Sequence, residues 1–328
     1  MISKNKRFTT PVLLIIFNRP ATTQQVFEAI RKQKPTKLYV AADGPRTGKE
    51  GESIKCEAAR HIATQIDWDC EVHTLFRTEN LGCGRGPASA ISWFFEYETE
   101  GIILEDDCLP SPSFFEFCSE LLEKYRDDSR IMEIGGNNLE RKDLREEDYS
   151  YTFSNLTYIW GWATWRRAWR HHDFLMGHYK EVSEKKYLEN SYDTIYEKDF
   201  FSYVFDKMHN GDHRTNRDTI WDYQWQFACQ INSGLTIVPN RNLVVNIGIG
   251  SDATHTTDPT GVGHDLRLEE MEFPLHHPEF VMVDKTRDQR NFNKMHTSAI
   301  SRLKSNIKRA IPKPVMELMV RPLLYIFS

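Results

Sequence analysis

The 328-residue chain carries 42 Lys and Arg against 47 Asp and Glu, a formal charge of -5, with 40% hydrophobic and 27% charged residues. This balance suits one compact unit with a substantial core and speaks against a disordered chain or a general polyanion binder, so nucleic acid is not an expected partner. Cysteines at 56, 70, 83, 108, 118 and 229 form no C-x-x-C pair and no zinc-finger spacing, which points to reduced thiols and a cytosolic setting. The basic stretch Met1 to Thr10 runs into an apolar segment of only six residues, Val12 to Phe17, and no signal peptide is expected.

In chain order, Val12 to Phe17, Leu38 to Ala41, Val72 to Phe76 and Gly101 to Leu104 read as short strands. Amphipathic stretches lie between them: Ala21 to Gln33, Ile54 to Ile66, and Pro87 to Tyr97 with Ile91, Phe94 and Phe95. The alternation predicts an α/β fold, with a mainly parallel sheet covered by helices on both faces. A helix follows from Ser113 to Arg126, opened by Ser111 and Pro112, and then a strand at Ile131 to Ile134.

Beyond this point the pattern changes. Residues 137–150 are charged and loop-like, and residues 151–235 are rich in aromatics without clean alternation. Trp162, Trp165 and Trp169 have helical spacing and read chiefly as core. A helix is expected to open at Trp221-Asp222 and to run to Ser233. Residues 240–297 read as long ordered loops. The segment 298–328 carries Arg302, Lys304, Lys308, Arg309, Lys313 and Arg321 against the single acid Glu317, and reads either as a membrane-surface segment or as a terminal helix packed on the body.

Open parallel sheets bind ligands outside the carboxyl ends of their strands. Here those ends carry Asn18-Arg19-Pro20, Asp43-Gly44-Pro45-Arg46, the run Arg77 to Gly86, and Glu105-Asp106-Asp107. Three adjacent carboxylates after a buried strand repel one another unless a cation sits among them, and their hard oxygens suit Mg²⁺ or Mn²⁺. The glycine-rich stretch Asn80 to Gly86, with Arg85, follows the third strand rather than the first. No G-x-x-x-x-G-K-[ST] occurs, so the dehydrogenase and P-loop readings lose their main support. The Trp160-Gly161-Trp162 turn is the part of the aromatic region expected at the site. Asp222 is either a favourable partner of a helix start or a reacting carboxylate.

Taken in order, these motifs resemble the N-acetylglucosaminyltransferase I group of GT-A glycosyltransferases, which are inverting, Mn²⁺-dependent and use UDP-sugars. The resemblance covers roughly residues 11 to 240. It implies a GT-A (Rossmann-like) fold in which Asn18, Arg19 and Asp43 meet the uracil, Glu105 and Asp106 face sugar and ribose, and Asp107 holds Mn²⁺ or Mg²⁺. It further places Trp160, Gly161 and Trp162 at the donor, makes Asp222 the catalytic base, and offers Asp252 and His255 as candidates for a loop closing over the donor. Arg85 has no clear counterpart in the family and is expected at the donor from the glycine-rich stretch alone, whose backbone amides could approach a phosphate or sugar hydroxyl. The implied organisation is a donor half at residues 1–140, an aromatic-rich acceptor half at 141–256, a loop-rich segment at 257–297 and the basic tail. The implied partners are a nucleotide-sugar donor and a glycan or lipid-linked acceptor of bacterial surface polysaccharide synthesis, with peripheral contact to the inner membrane face. A sugar-phosphate nucleotidyltransferase and a non-catalytic carbohydrate-binding module stand as alternatives. The former usually carries a Gly-rich basic loop after its first strand, where this chain has Asn18-Arg19-Pro20.

Overall fold

A computed structural model describes residues 7–140, 148–189, 191–211, 220–248 and 266–296. The first part alternates as its apolar pattern requires: β1 (Val12–Ile16), α1 (Pro20–Gln33), β2 (Lys37–Ala42), α2 (Glu52–Ala63), β3 (Glu71–Phe76), α3 (Gly82–Tyr97) and β4 (Glu100–Glu105). There follow β5 (Cys108–Pro110), α4 (Pro112–Lys124), β6 (Ile131–Gly135), β7 (Tyr151–Ser154), β8 (Trp162–Trp165), α5 (Arg166–Trp169), α6 (Tyr179–Glu184) and α7 (Ile195–Asn210). The remaining elements are α8 (Asp222–Ile231), β9 (Leu235–Pro239), β10 (Val244–Asn246) and α9 (Lys285–His296).

An eight-stranded sheet has the order β3-β2-β1-β4-β8-β6-β9-β7, and β10 pairs with β5 beside it. β1 is central and parallel to both neighbours, Val12 standing opposite Leu38 and Ile102. Strands β1, β2, β3, β4, β6 and β9 run one way, while β8 and β7 run against them. The expected mainly parallel α/β architecture is therefore present.

The continuous apolar run of β1 follows from burial on both faces. Val12, Leu14 and Ile16 enter a core with Val26 and Ile30 of α1 and Phe114 and Phe117 of α4. Leu13 and Ile15 enter the opposite core with Ile91 and Phe94 of α3 and Trp225 of α8. A third core joins α6, α7 and α9 through Tyr179, Phe201, Phe205 and Phe292. Among the described residues, no helix is long and apolar enough to cross a membrane.

Two sequence expectations are corrected. Trp162 and Trp165 lie on strand β8, not on a helix, and being three apart they face opposite sides of the sheet, one in each core. Residues 240–297 are not loops throughout, since they contain β10 and α9. The buried face of α9 is Arg287, Asp288, Asn291 and Phe292, so its helical period is written mostly in polar residues and leaves no apolar stripe. Most of those polar atoms have internal hydrogen-bond partners, although Arg287 Nε has none among the described residues. Arg287 lies 3.2 Å from Glu140 and donates to Asn240 at 2.9 Å, and Asp288 accepts from Asn155 N at 2.7 Å.

Candidate active site

The carboxyl ends of β1, β2 and β4 open into a cleft of about 830 Å³, within the size range of small-molecule sites. Because β8 runs against β4, with Trp162 opposite Ile103, the turn before β8 reaches the same edge. The amino end of α8 completes the far wall. The lining thus includes Asn18, Arg19, Asp43, all three acids of the β4 end, Trp160 and Asp222.

The acidic end of β4 is held from several sides. Asp106 accepts from Phe17 N at 3.0 Å, which ties it to the end of β1. Arg19 Nη1 donates to Asp107 Oδ2 at 2.6 Å and stands 3.7 Å from Asp106 Oδ1. Burial raises the proton affinity of Asp106, and the Asp107 charge adds to it. Glu105 is pushed up to about 8 by burial and then by Asp107, Asp106 and Asp222, with Arg19 opposing. Asp222 is therefore close enough across the cleft for Glu105 to feel its charge.

Gly248 also packs closely on Asp107: a Cβ there would overlap the Asp107 side chain. The contact is fixed by the β5–β10 pair, in which Cys108 faces Asn246 and Ile247 N donates to Asp107 O at 2.8 Å.

Among the described residues no group of three or more His, Cys, Asp and Glu forms a metal cage. The donors that exist are hard carboxylate oxygens at the cleft, led by Asp107 with 15% of its side chain exposed. This set fits a Mg²⁺ or Mn²⁺ ion held by one or two carboxylates and completed by phosphate oxygens, the usual arrangement for such ions.

The residues expected at the uracil all line the cleft, and each has protein partners there. The Asp43 carboxylate accepts from Leu81 N at 2.9 Å and Gly82 N at 3.0 Å, so the end of β2 caps the amino terminus of α3. Arg19 turns to the acids rather than away from them. Asn18 donates to Glu52 Oε1 at 3.0 Å, and Glu52 also accepts from Arg46 N at 2.6 Å. Arg85 is exposed on α3 with its guanidinium 5.0 Å from the Phe174 ring centroid, and it does not line the cleft.

In the aromatic turn only Trp160 lines the cleft. Gly161 has φ +65, and a Cβ there would meet Val244 at 2.8 Å, so both conformation and space call for glycine. Trp162 is core: it is 1% exposed and stacks on Trp221 at 5.8 Å. Trp165, Trp169, Trp221 and Trp225 are also buried. Asp252 and His255 lie outside the described residues, as does the segment 298–328.

The structure adds residues to the cleft: Arg46, Arg77, Asn80, Cys83, Tyr223, Asn246 and Gly248. Arg46 follows β2 directly and so carried a positional signal. Glu52 carried none, since an acid in a first helical turn is commonplace. Burial lowers the pKa of Arg77, which donates to Ser89 Oγ at 2.9 Å. Among the described residues all six cysteines are free thiols, and four of them are buried.

No protein-family model and no curated protein matches the chain. Among solved structures, HddC from Yersinia pseudotuberculosis is similar at 11% identity and a TM-score of 0.26, over 42% of this chain and 67% of that one. A UDP-glucose pyrophosphorylase complexed with UDP-glucose is also similar at 11% identity and a TM-score of 0.26, over 44% of this chain and 62% of its own length. Likenesses this distant leave the reading of the site to its own geometry.

Proposed function

We propose that the chain is an inverting glycosyltransferase that moves a sugar from a UDP-linked donor to a hydroxyl of a glycan or lipid-linked acceptor. One observation carries the reading: the acidic end of β4 and the amino-terminal Asp222 of α8 line a single cleft, near enough for the Asp222 charge to act on Glu105. The two carboxylate sites have different tasks there. The β4 end, with Arg19, binds the diphosphate side of the donor, and Asp222 lies where an acceptor enters.

In the reaction, Asp222 takes the proton of the acceptor hydroxyl as its oxygen attacks the anomeric carbon. The bond from that carbon to the diphosphate oxygen breaks, and the nucleoside diphosphate leaves with the electron pair. One displacement inverts the anomeric configuration. A Mn²⁺ or Mg²⁺ ion held by Asp107 supplies neutralisation of the diphosphate charge when bound. Arg19, Arg46 and Arg77 add positive charge along the same wall.

Titration of UDP with and without Mn²⁺, followed by a screen of nucleotide sugars with NMR of the product anomer, tests the reading. Metal-dependent UDP binding and an inverted product support it. A retained anomer, or formation of a nucleotide sugar from a sugar phosphate and a nucleoside triphosphate, contradicts it. The six basic residues against one acid in 298–328 further support an acceptor presented at an anionic membrane surface. Sedimentation with anionic liposomes should fall when that segment is removed, and equal sedimentation of both forms would reject this part.

A further inference from the structure

Besides the acidic end of β4, two backbone segments bring side chains to the cleft: the Ile159-Trp160 turn before β8 and the first turn of α8 with Asp222 and Tyr223. Both are tied to the same side chain. Glu133, at the centre of β6, is 0% exposed. Its Oε1 accepts from Tyr158 N at 2.5 Å, and its Oε2 accepts from Trp225 Nε1 at 2.6 Å. Tyr158 lies two residues before Trp160. Trp225 lies three residues after Asp222, next to it on the same helical face.

We propose that Glu133 is a positioning residue: one buried carboxylate fastens the Trp160 turn and the Asp222 helix to the central sheet together, and so sets the geometry in which Asp222 meets the acceptor. The inference rests on the reading of Asp222 as the base. The choice of side chain supports it, because two N–H donors converge on opposite oxygens and only a group that accepts on both can satisfy them. Glutamine keeps the volume but turns an NH₂ toward one of the donors. A purely structural strand position beside Met132 and Ile134 would be filled more cheaply by an apolar residue, since a buried carboxylate without a cation partner carries a large desolvation cost.

Trp225 allows the packing and positioning roles to be separated. Its indole packs against Trp162 and Trp169, with ring centroids 5.8 Å and 5.3 Å away. Trp169 belongs to the same cluster but donates its N–H to Ser92, on α3. Trp225→Phe and Trp169→Phe therefore remove similar indole packing and one hydrogen bond each, but only the former cuts the link to Glu133.

The experiment measures kcat, donor affinity and amide exchange of residues 158–162 and 221–226 in Glu133→Gln, Trp225→Phe, Trp169→Phe, Asp222→Asn and the Glu133→Gln/Trp225→Phe double variant. Glu133→Gln is expected to lower kcat about 10²-fold with donor affinity kept, the size of loss that a displacement near 1 Å produces. Exchange should quicken in at least one of the two segments. In Trp225→Phe, kcat should fall likewise and exchange should quicken in 221–226 alone, and the double variant should be no worse than the poorer single one. Trp169→Phe should retain kcat. Should Glu133→Gln fail to fold, Trp225→Phe against Trp169→Phe decides. Equal kcat losses in those two variants, or an unaltered kcat in Glu133→Gln, would overturn the proposal. Should Asp222→Asn keep full turnover, the general-base reading falls, and the exchange data alone decide whether Glu133 holds the two segments: unchanged exchange in Glu133→Gln overturns that claim, and faster exchange supports it.

Discussion

Arg19 Nη1 lies 2.6 Å from Asp107 Oδ2 and 3.7 Å from Asp106 Oδ1, so the acidic end of β4 carries a cation supplied by the loop after β1. Three neighbouring carboxylates, partly or wholly shielded from water, repel one another, and this pairing offsets part of that repulsion. It also places the guanidinium beside the carboxylate expected to hold the metal. On the proposed reading, Arg19 would meet the charged end of the donor rather than its base.

The first prediction concerns Asp107. Asp107→Ala removes the exposed oxygen donors of the triplet while Asp106 keeps its bond from Phe17 N. The Mn²⁺-dependent gain in UDP affinity should vanish in calorimetric titrations, with the circular dichroism spectrum unchanged. An undiminished metal-dependent gain would reject Asp107 as the ligand.

Gly248 tests the same group without altering any charge. A Cβ at this position would overlap the Asp107 side chain, and overpacking of this kind costs about 1–3 kcal/mol when neighbours must shift. Gly248→Ala should lower Tm and weaken metal-dependent nucleotide binding together. If both stay at their original values, close packing of Gly248 on Asp107 is rejected.

A third prediction follows from Asp288, whose pKa burial raises from its ordinary 3.8 to about 7, while Ser154 and Asn155 donate to it and Asp284 and Glu197 add like charge. A carboxyl raised on folding contributes stability that is complete below its unfolded value and is lost as pH rises through the folded one. Tm should therefore fall between roughly pH 4 and 7, through this term. Glu133, also raised to about 7 by burial, acts in the same direction. Asp288→Asn can accept from Asn155 N and donate to Ser154 Oγ, so its Tm profile should be flatter without becoming level. An identical slope in the variant would remove Asp288 from the account.

Much of the donor-side fold was legible in the sequence because β1, β2 and β4 are buried on both faces and read as continuous apolar runs bounded by turns. The strand β8 was not legible. Its residues Trp162 and Trp165, followed by Trp169, fit a helical period, and a strand with large apolar groups on both faces shows no alternation to compete with it. The helix α9 was hidden because its buried side is mostly hydrogen-bonded polar residues. For α7, a signal was present in Thr194-Ile195-Tyr196-Glu197, which forms a capping box in the structure. In the site, the ends of β1, β2 and β4 and the start of α8 were identifiable by position. Partners depended on tertiary contact: nothing local to Asp43 tells that it caps α3, nor does anything local to Gly248 tell that it presses on Asp107. Glu133 did leave a trace, as a lone acid within the apolar run Ile131 to Ile134.

The central claim is that Asp222 is the base of a single displacement, and the most direct measurement is turnover of Asp222→Asn beside its donor affinity and Tm. Asparagine keeps the shape and the acceptor for Tyr223 N, which Asp222 Oδ1 receives at 3.0 Å, but it cannot take a proton at neutral pH. Transfer should fall by about 10²- to 10⁴-fold, the usual contribution of a positioned acid or base, with metal-dependent UDP affinity retained. Near-normal transfer with a Tm lowered by the loss of a helix-start charge, a term of about 0.3–1 kcal/mol, would contradict the account and leave Asp222 a structural residue.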